Sequence, residues 1–233
     1  MDNEYATRRL AAIEARIQSA AEQAQRNAEE IRLIGAAKQQ TNNKVKGFVS
    51  AGLRDIGHNY LQEALLMRAA INQADPPLHW HYIGAIQSNK TQDIADAFNW
   101  VHGVDRLKIA QRLSKQRRGQ SLNILLQVNI DEEDSKAGVL ARDCLTLCEQ
   151  VAGLPNLVLR GFMVIPKPRP NPEDQRQPFA KTRELLDQCN QHLGLTMDTL
   201  SMGMSNDLEA AILEGSTMVR VGTDLFGKRP TKA

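Results

Sequence analysis

Thr196-Met197-Asp198-Thr199-Leu200-Ser201-Met202-Gly203-Met204-Ser205-Asn206-Asp207 runs from a short strand-like stretch into a loop of glycine and hydroxyl residues. Leu208-Glu209-Ala210-Ala211-Ile212-Leu213-Glu214 continues it with helical periodicity. A few residues on, Val219-Arg220-Val221-Gly222-Thr223-Asp224 repeats the plan, a strand ending in glycine and hydroxyl groups. Glycine lets backbone N–H groups approach an anion closely, and Ser or Thr adds hydroxyl donors, so each loop can cradle one face of a phosphate. Alone, either loop reads equally well as a helix cap or a turn. Two of them after the last two strands are the phosphate pattern of a (β/α)8 barrel.

Working outward, strands and helices alternate strictly. Strand patterns fall at Ile31 to Ala37, Asp55 to Gly57, His79 to Ile83, Trp100 to Gly103, Asn123 to Asn129, Leu157 to Val164, Thr196 to Ser201 and Met218 to Val221. Between them lie helical patterns at Lys44 to Ala51, Gln62 to Asn72, Thr91 to Ala97, Lys108 to Arg117, Leu140 to Val151 and Pro178 to His192. Eight short apolar strands separated by helices must pair in parallel, and right-handed crossovers then favour a closed barrel. An open doubly wound sheet is the alternative. It would carry a glycine fingerprint after its first strand, where this chain has Lys38-Gln39-Gln40-Thr41. The expected fold is therefore α/β, a single (β/α)8 TIM barrel over residues 31–233 with an extra N-terminal helix in residues 1–30. That helix, Glu4 to Glu30, repeats Leu10, Ile13, Ile17, Ala20 or Ala21, and Ala24 as an apolar stripe that should pack on the barrel. Pro166-Lys167-Pro168-Arg169-Pro170-Asn171-Pro172 reads as a stiff extended loop at the barrel mouth.

Lys38 closes the apolar run Ile31-Arg32-Leu33-Ile34-Gly35-Ala36-Ala37. A strand that delivers a lysine to its C-terminal end places the amine where α/β proteins keep their chemistry. A lysine screened from water there is a carbonyl nucleophile that forms Schiff bases. The plain alternative is a solvated loop lysine. His79 and His81 flank Trp80 and share a strand face, which reads first as strand structure rather than a metal pair. Cys144 and Cys148, four apart on a helix, and distant Cys189 read as buried apolar residues in a reducing compartment.

Composition narrows the class further. The 233 residues, 42% hydrophobic, suffice for one large core. A net charge of +2, scattered basic residues and 4% aromatics offer no support for nucleic-acid or membrane binding. No run approaches a transmembrane length, and Asp2, Glu4 and Glu14 occupy the place of a signal peptide's basic segment, so a cytoplasmic protein is expected.

Gly35-Ala36-Ala37-Lys38, Ile56-Gly57-His58-Asn59-Tyr60-Leu61-Gln62-Glu63, Trp80 to Lys90, Gly161-Phe162-Met163, Ser201 to Asp207 and Val219-Arg220-Val221-Gly222-Thr223 together resemble the YggS/PROSC-type pyridoxal phosphate homeostasis proteins. The resemblance runs in order from about Ile31 to Gly227, with His58 standing where that family usually has Glu. It implies a barrel like the N-terminal domain of fold-type III alanine racemases that binds pyridoxal 5′-phosphate (PLP). Lys38 would be the Schiff-base lysine. Ser201 and Ser205, with the backbone of Gly222 and Thr223, would hold the phosphate, Arg220 would face the pyridine nitrogen, and Asn59 would lie near the ring. His81 and Met163 would line the pocket wall, and His58 would sit in a strand-end loop, away from lysine and phosphate.

The resemblance also bears on catalysis. Arginine, always cationic, can only donate to the pyridine nitrogen and leaves it unprotonated, which weakens the ring as an electron sink. The related racemases draw a tyrosine base from a second domain, for which this chain, ending at Ala233, has no residues. The expectation is a non-catalytic, monomeric PLP-binding protein that sequesters or delivers the cofactor, with PLP-dependent apoenzymes as recipients. A PLP-dependent racemase or decarboxylase of low activity, and a Schiff-base aldolase acting on sugar phosphates, are the alternatives.

Overall fold

Each short apolar strand is followed by a helix that covers one face, so its open backbone groups can be met only by another parallel strand. In the computed structural model, which describes residues 3–71, 76–134 and 136–227, that requirement closes on itself. The strands β1 (Arg32–Ala36), β2 (Asp55–His58), β3 (His79–Tyr82), β4 (Trp100–Val104), β5 (Leu122–Asn129), β7 (Leu157–Val164), β8 (Thr199–Ser201) and β9 (Met218–Val221) form a ring, every neighbour parallel. Closure is made where β9 returns to β1, with Ile34 opposite Arg220. An additional two-residue strand, β6 (Val139–Leu140), pairs with the end of β5 at Val128 and Asn129.

Helices α1 (Asn3–Gln23), α2 (Asn42–Ser50), α3 (Leu61–Ile71), α4 (Thr91–Ala97), α5 (Leu107–Gln116), α6 (Cys144–Ala152), α7 (Pro172–Leu193), α8 (Leu208–Leu213) and α9 (Thr223–Phe226) surround the ring. The main core lies between strands and helices, with Phe48, Ile56, Leu126 and Phe179 fully buried. Inside the barrel Ile34, Trp100, Leu125, Met163 and Met218 form a second, smaller cluster. Helix α1 buries Leu10, Ile13, Ile17, Ala20 and Ala21 against α2, α8 and α9.

The differences from the sequence pattern have local causes. The first helix stops at Gln23 rather than Glu30, because Gln25 turns left-handed (φ 55°) and the Asn27 side chain accepts the Glu29 N–H to start a separate 3-10 turn. Strand β8 begins at Thr199, not Thr196. The Asn190 side chain takes up both backbone groups of Met197 and ties that segment to α7. Leu140 belongs to β6 instead of opening α6, since β5 leaves Val128 and Asn129 open for pairing. Helix α7 starts at Pro172, with Asn171 accepting the Glu173 N–H, so the extended proline segment ends at Pro170. Lys38 lies two residues past β1. The expected end of the third helical pattern at Asn72 is outside the described residues.

Candidate functional site

The carboxyl ends of the strands open into a cavity of about 440 Å³ lined by Ala36, Lys38, Gln40, Asn59, Ile83, Ile165, Pro166, Pro168, Arg169, Gln175, Met204, Ser205, Asn206, Asp207, Arg220, Gly222 and Thr223. Lys38 reaches it from a turn. Gln39 adopts φ 58°, and its N–H donates to Glu63 on α3 at 3.1 Å. The Lys38 ammonium lies over the Tyr60 ring, 5.0 Å from its centroid.

Across the cavity, the loop after β8 carries Ser205 and the loop after β9 carries Gly222 and Thr223. Gly203 takes φ 94°, where a side chain would meet Ala211 at 2.7 Å, so only glycine folds this loop back onto α8. The backbone N–H groups of Ser205, Asn206 and Gly222 meet no acceptor among the described residues. The Asp207 carboxylate accepts the Met204 N–H, and burial raises its pKa against the opposing pull of Arg220.

Both loops are held from behind by α1. Arg16 donates to the Ser205 carbonyl at 2.8 Å and pairs with Glu209 and Asp224 at 2.7 and 3.0 Å. Arg9 donates to the carbonyl of Thr223 at 3.1 Å. Nothing local in the sequence marks these arginines, since their partners lie roughly two hundred residues away in the chain.

Arg220, third residue of β9, is 5% exposed. It donates to the Ser201 hydroxyl at 2.6 Å and to the Val164 carbonyl at 2.9 Å. Burial lowers its pKa to about 10, partly offset by Asp207, so it remains cationic at neutral pH.

Of the residues that the sequence pointed to, Lys38, Asn59, Ser205, Arg220, Gly222 and Thr223 meet on the cavity wall. His81, Met163 and Ser201 do not line it; they are buried beneath it inside the barrel. His58, expected in a loop, is the last residue of β2 and points outward to α3, stacked on Trp80 with its Nε2 3.3 Å from Met67 Sδ. Burial pulls its pKa down to about 4. Sequence reasoning missed His102, which the alternation Trp100, His102 on β4 places on the inward face, and it missed Asp207 and Arg169, which the glycine loop and the proline segment bring to the mouth. Among the described residues, no group of three or more His, Cys, Asp or Glu side chains could hold a metal ion. No described helix is long and apolar enough to cross a membrane.

A closed barrel with a strand-end lysine facing two phosphate-type loops defines a racemase-type barrel, and residues 9–230 match the family described as alanine racemase, N-terminal domain. The chain is 53% identical over 222 residues to the pyridoxal phosphate homeostasis protein of Pseudomonas aeruginosa, covering 94% of each chain. It is 42% identical over 228 residues to that of Escherichia coli K12, covering 94% of this chain and 95% of the other. The structure of PipY from Synechococcus elongatus with PLP bound superposes with a TM-score of 0.84 at 31% identity, over 95% of this chain and all of that one. An alanine racemase of Clostridium difficile shares the fold, with a TM-score of 0.71 at 14% identity, over 94% of this chain and 56% of the other. The chain belongs to the YggS/PROSC family of pyridoxal phosphate homeostasis proteins.

Proposed function

We propose that this chain binds PLP covalently through Lys38 in the mouth cavity, stores it in the cytoplasm as a monomer, and delivers it to PLP-dependent apoenzymes without turning over amino acids. The observation that carries the reading is the meeting, in one cavity, of a strand-end amine, a buried arginine and two loops rich in N–H and hydroxyl donors. The donor set fits the cofactor. Ser205, Thr223 and the open N–H groups of Ser205, Asn206 and Gly222 suit a phosphate, Lys38 suits an aldehyde, and Arg220 suits a pyridine nitrogen that accepts. A cavity of about 440 Å³ is of the size that small-molecule sites use.

When bound, PLP supplies an aldehyde that couples to a primary amine and a ring that withdraws electrons. Lys38 would anchor it, Asn59 would lie beside it, and the loops held by Arg9 and Arg16 would retain the phosphate. Arg220 can donate to the ring nitrogen but cannot accept a proton from it, which keeps electron withdrawal weak. His81, expected from the resemblance on the pocket wall, has both ring nitrogens engaged by Asp55 and His102 and lies below the cavity, so it does not offer a base to a bound amino acid. These features favour a carrier over a racemase or decarboxylase.

The test is to reduce the purified, PLP-loaded chain with borohydride and map the modified residue by mass spectrometry, alongside Lys38→Ala. Modification confined to Lys38 and absent from the variant is expected, and a stable adduct on another lysine would overturn the assignment. Proton exchange at the α carbon of L-alanine in deuterated water, followed by NMR, should stay at the rate of free PLP. Exchange well above that rate and lost in Lys38→Ala would make the protein an enzyme.

A further inference from the structure

The barrel axis holds a line of polar side chains that cavity chemistry alone does not require. Arg220 donates to Ser201 Oγ at 2.6 Å, Ser201 Oγ lies 2.9 Å from His102 Nδ1, His102 Nε2 lies 3.0 Å from His81 Nδ1, and His81 Nε2 lies 2.8 Å from Asp55 Oδ1. Asp55 also accepts from Arg32 at 3.2 Å, with His79 Nδ1 at 3.4 Å. His81, His102 and Ser201 are wholly buried. Interior polar groups are costly unless every one is paired, and none of these is among the side-chain atoms left without a partner.

One arrangement of protons satisfies them all. Burial tends to raise the Asp55 pKa, but the His81 hydrogen bond and the charge of Arg32 outweigh it and keep the carboxylate ionised. Burial lowers the pKa of both histidines, more than Asp55 restores for His81, so both rings are neutral. His81 then donates from Nε2 to Asp55 and accepts at Nδ1 from His102 Nε2–H. His102 accepts at Nδ1 from the Ser201 hydroxyl, and Ser201 accepts from Arg220. Every hydrogen bond points the same way, from the arginine at the mouth to the carboxylate at the first residue of β2.

We propose that Ser201, His102 and His81 are positioning residues for Arg220, a column anchored on Asp55 that aims the guanidinium at the ring of the bound cofactor, and that Ser201 is not a phosphate ligand. The inference rests on the reading that the cavity holds PLP. Ser201 has its proton directed to His102 and its oxygen taken by Arg220, and it is closed off from the cavity, whereas Ser205 lines it. Without the serine acceptor, Arg220 keeps one fixed partner, the Val164 carbonyl, and is free to swing about it.

Full-length chains carrying Ser201→Ala, His102→Gln and Ser205→Ala, each loaded with PLP, separate the roles. Three readouts apply: borohydride-fixed mass on Lys38, the visible absorption and emission maxima of the bound cofactor, and the concentration of inorganic phosphate that displaces it. In Ser201→Ala and His102→Gln the adduct on Lys38 should still form and phosphate should compete as in the parent. Both spectral maxima should move together in the two variants, because the group facing the ring has lost its aim. Ser205→Ala should show the reverse, altered phosphate competition with the maxima in place. The proposal is overturned if Ser201→Ala alters phosphate competition and leaves the maxima unmoved, or if neither column variant moves them, which would make the column core packing. His102→Gln breaks the column at its centre and decides the matter if Ser201→Ala does not fold. A parent chain that takes up no PLP would instead sink the cofactor reading itself.

Discussion

Replacing His58 by leucine should make the protein markedly less sensitive to acid. His58 is wholly buried where β2 meets α3, against Trp80 and Met67, and its Nδ1 has no hydrogen-bond partner among the described residues. Burial alone pulls its pKa from 6.5 to about 4. Above pH 6.5 the ring is neutral in both the folded and the unfolded chain, and its contribution to stability is complete. As the pH falls through 6.5 the unfolded chain takes up a proton, while the folded chain refuses it until about pH 4. Protons therefore favour the unfolded state throughout that window. At 1.36 kcal/mol per pH unit, His58 alone removes about 2 kcal/mol between pH 7 and pH 5, and about 3 kcal/mol by pH 4. His81 and His102 are shifted in the same direction, so both proteins will lose stability on acidification. The difference between parent and His58→Leu isolates this one ring. Leucine fills a similar volume among apolar neighbours and removes an unpaired buried nitrogen, so at pH 7 the variant should be at least as stable as the parent. Urea unfolding followed by circular dichroism at pH 7 and pH 5 measures both quantities. Equal losses in the two proteins on going to pH 5 would refute the reasoning.

Arg16→Ala should lower stability by only about 0.5–1 kcal/mol, because its ion pairs with Glu209 and Asp224 are partly exposed. It should nevertheless speed PLP release several-fold, since it frees the Ser205 carbonyl; a release rate equal to the parent's would show that α1 does not brace the loop. Gly161→Ala should cost at least about 2–3 kcal/mol. Gly161 sits at φ 146° on β7, where a Cβ would fall 2.0 Å from the Thr199 carbonyl oxygen, so a melting temperature within a degree or two of the parent would contradict the strand geometry.

Part of the cavity wall was legible in the sequence because the signals were local. Lys38 follows an apolar strand, Ser205 and Gly222 sit in glycine loops, and a parallel barrel carries every such strand end to the same mouth. Arg220 could be assigned to the pocket only through resemblance, since a strand arginine read alone is a surface residue. The N-terminal stripe Leu10, Ile13, Ile17 and Ala20 named its buried face correctly, because a period of 3.6 residues is a property of the helix itself.

Depth along the barrel was not legible. Alternation shows that His81, Met163 and Ser201 share inward faces, but how high each rises depends on the stagger between strands, which no single strand encodes. That stagger lowered all three beneath the cavity and joined Ser201 to His102, a residue 99 positions away. The same long reach let Arg9 and Arg16 of the first helix grip the last loops. The sequence by itself determined the order of elements, the strand-end amine and the glycine and hydroxyl loops, since each depends on neighbours within a few residues. Only the tertiary structure decided which serine faces the cavity and what holds Arg220, because both follow from closing eight strands at one particular shear.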